Sequence, residues 1–179
     1  MPCYNFQYNK YSVIKNGRDL GKQWNGGVPL INLIDISNRN NAKEVLSIQI
    51  PSYEVEAKII GYYEIPPLND TVDTLQKCEE TFFGYYENTE LCGAISLKVV
   101  DDNIADIHRL IVHPNHFRKG IAQLLLNFVI SNFDVKKVEV ATGSKNTPAV
   151  NFYKKNGFEK TKEVTVNEQL SLTFFEKKL

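Results

Sequence analysis

The sequence predicts a single α/β (α+β) domain in which a central, mixed but mostly antiparallel sheet is flanked by helices. Three observations carry that expectation. First, 179 residues match one compact domain, which runs to roughly 100–200 residues. Apolar residues make up 42% of the chain, enough for a core and too many for a disordered polymer. Second, Thr81 to His113 holds three apolar-rich runs separated by short polar turns, the pattern of an antiparallel meander. Third, residues 104–166 read strand, helix, strand, helix, strand. The first helix of that series must cross over, which makes the strands on either side of it parallel.

The elements follow in order. Residues 1–29 form an N-terminal extension ahead of a domain at 30–179. Within it Tyr4, Phe6, Tyr8 and Tyr11 suit a strand, Asn16-Gly17 marks a turn, and Gly21 to Pro29 reads as a loop. Leu30 to Ile34 is a short strand. Asp35 to Asn41 supplies cap candidates for a helix over Ala42 to Ile50, with Val45, Leu46 and Ile50 near one face. Pro51 is expected to interrupt it, and Ser52 to cap a second helix reaching Ile60. Pro66-Pro67 breaks the chain again, and Asp70 to Glu79 offers a short helix with acid at its front.

Three strands then span Thr81 to Glu87, Leu91 to Asp101 and Ile104 to His113, with turns at Glu87 to Glu90 and Asp101-Asp102-Asn103. A long helix begins near Lys119, because Ile121, Leu124, Leu125, Phe128 and Val129 fall on one face. Lys137 to Thr142 alternates as a strand. Thr147 is a cap with Pro148 at the first helical position, and Gly157 terminates that helix in a left-handed conformation. Phe158 to Val166 and Gln169 to Lys177 close the chain as a hairpin around Asn167.

Charge narrows the function classes. The chain holds 21 basic and 21 acidic residues. A balanced total argues against a nucleic-acid partner, where basic excess is expected. The balance conceals a pattern, since residues 1–40 carry net +3, residues 41–117 net −8 and residues 118–179 net +5. Apolar runs fall short of the ~18 residues a membrane span needs, and the start of the chain does not read as a signal peptide. The cysteines at 3, 78 and 92 make no disulfide framework. They suit a reducing, cytoplasmic setting.

One stretch carries chemistry. In Val112-His113-Pro114-Asn115-His116-Phe117-Arg118-Lys119-Gly120-Ile121-Ala122 a strand ends, a loop follows and a helix begins. A first helical turn has unpaired N–H groups and a partial positive charge. Small residues at Gly120 and Ala122 let an anion approach that backbone, so the stretch suits phosphates.

Here the chain resembles the GNAT superfamily of acyl-CoA-dependent N-acetyltransferases. That family's pyrophosphate signature is Arg/Gln-x-x-Gly-x-Gly/Ala after a strand ending apolar-x-Val-x-Pro. This chain has Leu110-Ile111-Val112-His113-Pro114 and then Phe117-Arg118-Lys119-Gly120-Ile121-Ala122. A second family pattern is met by Asn146, Ala149, Tyr153, Gly157 and Phe158 at matching spacing. The resemblance covers residues 81–179 and extends back to about residue 30. Phe117 replaces the usual Arg or Gln, so a cradle here depends on main-chain N–H groups.

The resemblance implies a GNAT-like fold and transfer of an acetyl group from acetyl-CoA to a primary amine. The amine attacks directly, without a covalent acyl-enzyme. Phe117, Arg118, Lys119, Gly120, Ile121 and Ala122 would hold the pyrophosphate, and Leu110, Ile111 and Val112 would lend main-chain groups to the pantetheine arm. Tyr153 is the candidate general acid, or a packed helical aromatic. Asn146 bonds the cofactor arm or simply caps its helix. Asp106 is the candidate general base through a water, or an exposed structural residue. Glu139, Glu79 and Glu80 are alternatives, and His108 could assist.

His108, His113 and His116 fall within nine residues. They lack the cysteine pairs of zinc sites, so no metal is expected. Cys78 and Cys92 read as buried thiols. The acceptor is a small-molecule or peptide amine, and the chain a monomer or homodimer. A non-catalytic acyl-CoA-binding or interaction module on the same fold is the alternative. The acidic segment at 41–117 is expected to face the acceptor, which favours a cationic amine.

Overall fold

The computed structural model describes residues 30–101 and 103–179. The strand, turn and loop expected within residues 1–29, together with Cys3 and Asp102, lie outside them. Seven strands form one sheet in the order β1-β2-β3-β4-β5-β7-β6. They are β1 (Leu30–Ile34), β2 (Thr81–Glu87), β3 (Glu90–Val100), β4 (Ile104–Val112), β5 (Lys137–Gly143), β6 (Glu159–Thr165) and β7 (Ser171–Lys178). All neighbours are antiparallel except β4 and β5. That parallel pair is joined by α3 (Ile121–Asn132), the crossover that its place in the sequence demands. Between β2 and β3 a two-residue turn suffices, because Asn88 accepts a left-handed conformation (φ 58°).

The expected break at Pro51 is corrected by one continuous helix, α1 (Arg39–Ile60), with Pro51 inside it. An interior proline costs about 3 kcal/mol. The burial of Ala42, Val45 and Ile48 on one side of it, and Ala57 and Ile60 on the other, offsets that cost. Asn38 caps the start by accepting from the N–H groups of Asn40 and Asn41, and Gly61 ends the helix at φ 73°. Pro66–Asn69 form a single 3-10 turn, and α2 (Val72–Lys77) follows with Thr71 and Thr74 in a capping box.

Two further boundaries move. Gly120 is the N-cap of α3, which therefore starts two residues later than Lys119. Asn146, not Thr147, caps α4 (Thr147–Lys155), and Pro148 occupies its first turn.

The sheet is covered on both faces. Leu125, Leu126 and Val129 of α3 pack with Phe83, Ile95, Leu97 and Phe175 on one side. Val45 of α1 and Leu75 of α2 pack with Phe82, Ala94 and Ile111 on the other. The meander contains one irregularity that matters below. Ile107 pairs with Leu97 and Arg109 with Ser96, so His108 is an extra residue, a bulge in β4.

Candidate active site

The parallel pair is short. β4 and β5 are paired only through Ile104–Ile107 and Lys137–Val140. Beyond that point β5 continues beside β7 as far as Gly143. The bulge at His108 sits where the two strands part, and bulges bend the strand that carries them. His113 donates its N–H to the Cys92 carbonyl on β3. Alternation along an antiparallel pair then turns Ile111 toward β3 and leaves the main-chain groups of Leu110 and Val112 facing the gap. Of the three residues expected to lend main-chain groups, Leu110 and Val112 thus turn theirs to the gap and Ile111 turns its to β3.

A cavity of about 410 Å³ opens at the gap. His108, Leu110 and Ile111 of β4, Ala141 to Gly143 of β5, Tyr53 and Glu56 of α1, and Asn146, Ala149 and Tyr153 around α4 all line it. Tyr153 is 5% exposed, with its ring against Phe158 and Phe175. Burial, and secondly the Glu56 carboxylate, push its hydroxyl well above the ordinary tyrosine range. Tyr53 is raised in the same way, by burial first and Glu56 second. Burial also lifts Glu56 itself, against hydrogen bonds from Asn146, the Gly143 N–H and Thr142 that favour its charge. Asn146 therefore does two jobs. It accepts the Ala149 N–H as the α4 cap and presents its amide to Thr142 (3.4 Å) at the cavity wall.

Asp106 does not line the cavity. It stands behind His108, whose Nε2 is 3.3 Å from the Asp106 carboxylate and whose Nδ1 is 3.5 Å from Glu80. Burial raises the Asp106 carboxyl, and the imidazole beside it opposes that rise. The Glu80 side chain is enclosed, accepts from Ser96 Oγ at 2.6 Å and pairs with Arg109, which also binds Asp70 at 3.0 Å. Glu139 lies opposite Asp106 on β5 and is engaged by Lys137.

The loop after β4 lies beyond the cavity lining. Val112 leads into a 3-10 turn at Pro114–His116, then Arg118 and Gly120 adopt left-handed conformations (φ 65° and 83°). A Cβ at Gly120 would meet nothing within 4 Å, so the approach to the helix start is open. No side chain caps α3, and its first-turn N–H groups remain available. Ile121 and Ala122 turn their side chains into the core. Phe117 is 40% exposed, and Lys119 points to His116 and Glu87. What remains is a main-chain cradle at a positive helix end, which fits a diphosphate.

The structure separates the three histidines. His108 belongs to the cavity, whereas His113 and His116 lie with ring centroids 6.1 Å apart in the loop. Cys92 is buried and Cys78 half-buried, both as free thiols. Glu56 and Tyr53 went unnoticed in the sequence. Their signal is the spacing of Ser52, Tyr53, Glu56 and Ile60 on one helical face. Pro51 masked it by making Ser52 look like a cap.

A sheet that opens beside its one parallel pair, with a glycine-initiated helix at the strand end, is the layout of an acyl-CoA-using transferase. The acetyltransferase (GNAT) family matches residues 42–158, and the chain belongs to it. It is 44% identical over 135 residues to UPF0157 protein YqkA of Bacillus subtilis (strain 168), across 75% of this chain and 39% of that protein. The chain thus spans well under half the length of that relative. It is 25% identical over 131 residues to streptothricin acetyltransferase of Escherichia coli, across 70% of this chain and 73% of that one. In fold it resembles the PaiA N-acetyltransferase of Thermoplasma acidophilum in complex with coenzyme A. That likeness has a TM-score of 0.64 at 18% identity, over 83% of this chain and 99% of the other. Among the described residues no helix is long and apolar enough to cross a membrane.

Proposed function

We propose that residues 30–179 transfer an acetyl group from acetyl-CoA to a primary amine, with the acceptor bound in the cavity beside the β4–β5 gap. The observation that carries this reading is the pairing of that gap with the open cradle at Gly120, on the same strand-loop-helix unit. Acetyl-CoA supplies the activated acyl carbon. The main-chain N–H groups at the start of α3 bind its diphosphate, and the free main-chain groups of Leu110 and Val112 align its arm. Tyr153, held protonated by burial, donates a hydrogen bond to the leaving sulfur. His108 on the cavity wall stands between the carboxylates of Asp106 and Glu80, which engage its two ring nitrogens and orient the ring, and the amine proton leaves through a water to this cluster. Asp106, set back from the cavity, is the base of that cluster and is reached through a water. Glu56 receives the acceptor's ammonium group before it loses that proton. The free thiols of Cys78 and Cys92 support the reducing, cytoplasmic setting.

The test is a thermal melt with acetyl-CoA. The ligand should raise Tm, and Gly120→Glu should abolish the rise by placing bulk and negative charge in the cradle. An unchanged rise in that variant would sink the pyrophosphate assignment. Thiol release with a panel of amines checks turnover. Ligand binding without any thiol release would make the chain a binding module instead.

A further inference from the structure

One cluster of ligating side chains plays no part in this chemistry. Glu87 at the end of β2, Cys92 at the start of β3 and His116 in the turn after β4 present a carboxylate oxygen, a thiol sulfur and a ring nitrogen within 4.8 Å of one another. We propose that these three side chains bind a zinc-class divalent cation, which ties the loop ahead of α3 to the β2–β3 hairpin. One sulfur, one imidazole and one carboxylate suit zinc, with a water in the fourth position.

Three features favour a built site over a chance collection. Cys92 is fully buried and His116 is 8% exposed, so two of the three ligands are held by the fold. His116 Nε2 lies 3.2 Å from Glu90 Oε1, so a proton on Nε2 leaves the Nδ1 lone pair free. A carboxylate behind a ligating histidine is the arrangement that orients the ring toward a metal. Lastly, a cation already stands on this side of the ring. Lys119 Nζ is 3.1 Å from His116 Nδ1 and 3.7 Å from Glu87 Oε2. Its side chain is 48% exposed and can swing out to solvent.

Zinc bonds of ~2.0–2.3 Å set tetrahedral ligands roughly 3.3–3.7 Å apart, so side-chain rotation by about an ångström closes the group. Binding deprotonates the Cys92 thiol. The sulfur–hydrogen bond is replaced by a sulfur–metal bond and the proton leaves to water. The inference is independent of the acetyl-transfer reading.

The experiment uses the full chain, stripped with a chelator and titrated with zinc by calorimetry and with cobalt(II) by absorption. The expected result is saturable one-to-one binding with a thiolate-to-cobalt charge-transfer band. Cys92→Ser should remove the band, Glu87→Gln should weaken binding, and Glu90→Gln should weaken it about tenfold or more. Lys119→Met should tighten it by removing the competing ammonium. Metal-free melts of each variant establish that it is folded. Absence of saturable binding, a cobalt spectrum without the thiolate band, or zinc affinity unchanged by Glu87→Gln overturns the proposal. So does unchanged or weaker binding in Lys119→Met.

Discussion

Glu56 shows how a single side chain can set both chemistry and stability. Burial raises its carboxyl relative to the unfolded chain. A raised acid stabilises the fold while it is protonated, and that contribution is lost as pH rises through the folded pKa. Glu56→Gln should therefore raise Tm at neutral pH, and the gain should fade as the medium is acidified until the wild-type carboxyl is neutral too. Melts of both proteins across that range check the sign. Tyr153 is raised in the same direction by burial, and on the proposed reading its neutral hydroxyl serves as a donor. Tyr153→Phe should lower kcat about 100-fold, with little change in acetyl-CoA affinity by calorimetry. At this scale Tyr153 and Asn146 were legible because a spaced motif names them. Glu56 was not, because nothing in its own residue type separates a cavity carboxylate from a solvated one.

Among the elements, the β4 bulge and a glycine further along the same strand pair decide the geometry. Gly93 on β3 faces β4, and a Cβ there would stand 2.8 Å from Ile121 Cγ2 and 3.0 Å from the Ile111 carbonyl. The second neighbour is backbone and cannot rotate away. Gly93→Ala should destabilise the fold by about 1–3 kcal/mol through overpacking, measurable by urea unfolding. The meander and the parallel crossover could be read from apolar runs and connection lengths. The bulge could not, since one extra residue in Ile107-His108-Arg109 leaves the hydropathy pattern of a plain strand. The single helix α1 was hidden for a different reason. Local rules make Pro51 a stop, and only burial on both sides of it overrides them.

Across the whole molecule the charges are segregated. The segment at 41–117, net −8, supplies Glu56, Glu80 and Asp106, whereas α3, with the proposed phosphate cradle at its start, opens the segment at 118–179, net +5. On the proposed reading acetyl-CoA is an anion and the protonated acceptor a cation, so each would meet groups of mostly opposite sign. Screening sets in over ~10 Å at 0.1 M salt. Raising ionic strength should increase KM for acetyl-CoA and for cationic amines, while a neutral amine stays nearly flat. Steady-state kinetics over a salt series decide this. Acidic amines emerging as the best acceptors would contradict it.

The gap between β4 and β5 also bears on the lifetime of the protein. Part of β4 lacks a partner strand on one edge, so the seam of the sheet stays unsewn there. Anything that binds only the folded form adds to its stability by mass action. On the proposed reading the cosubstrate is also a stitch. The working pool of acetyl-CoA would then govern how fast the enzyme turns over and how long each copy survives.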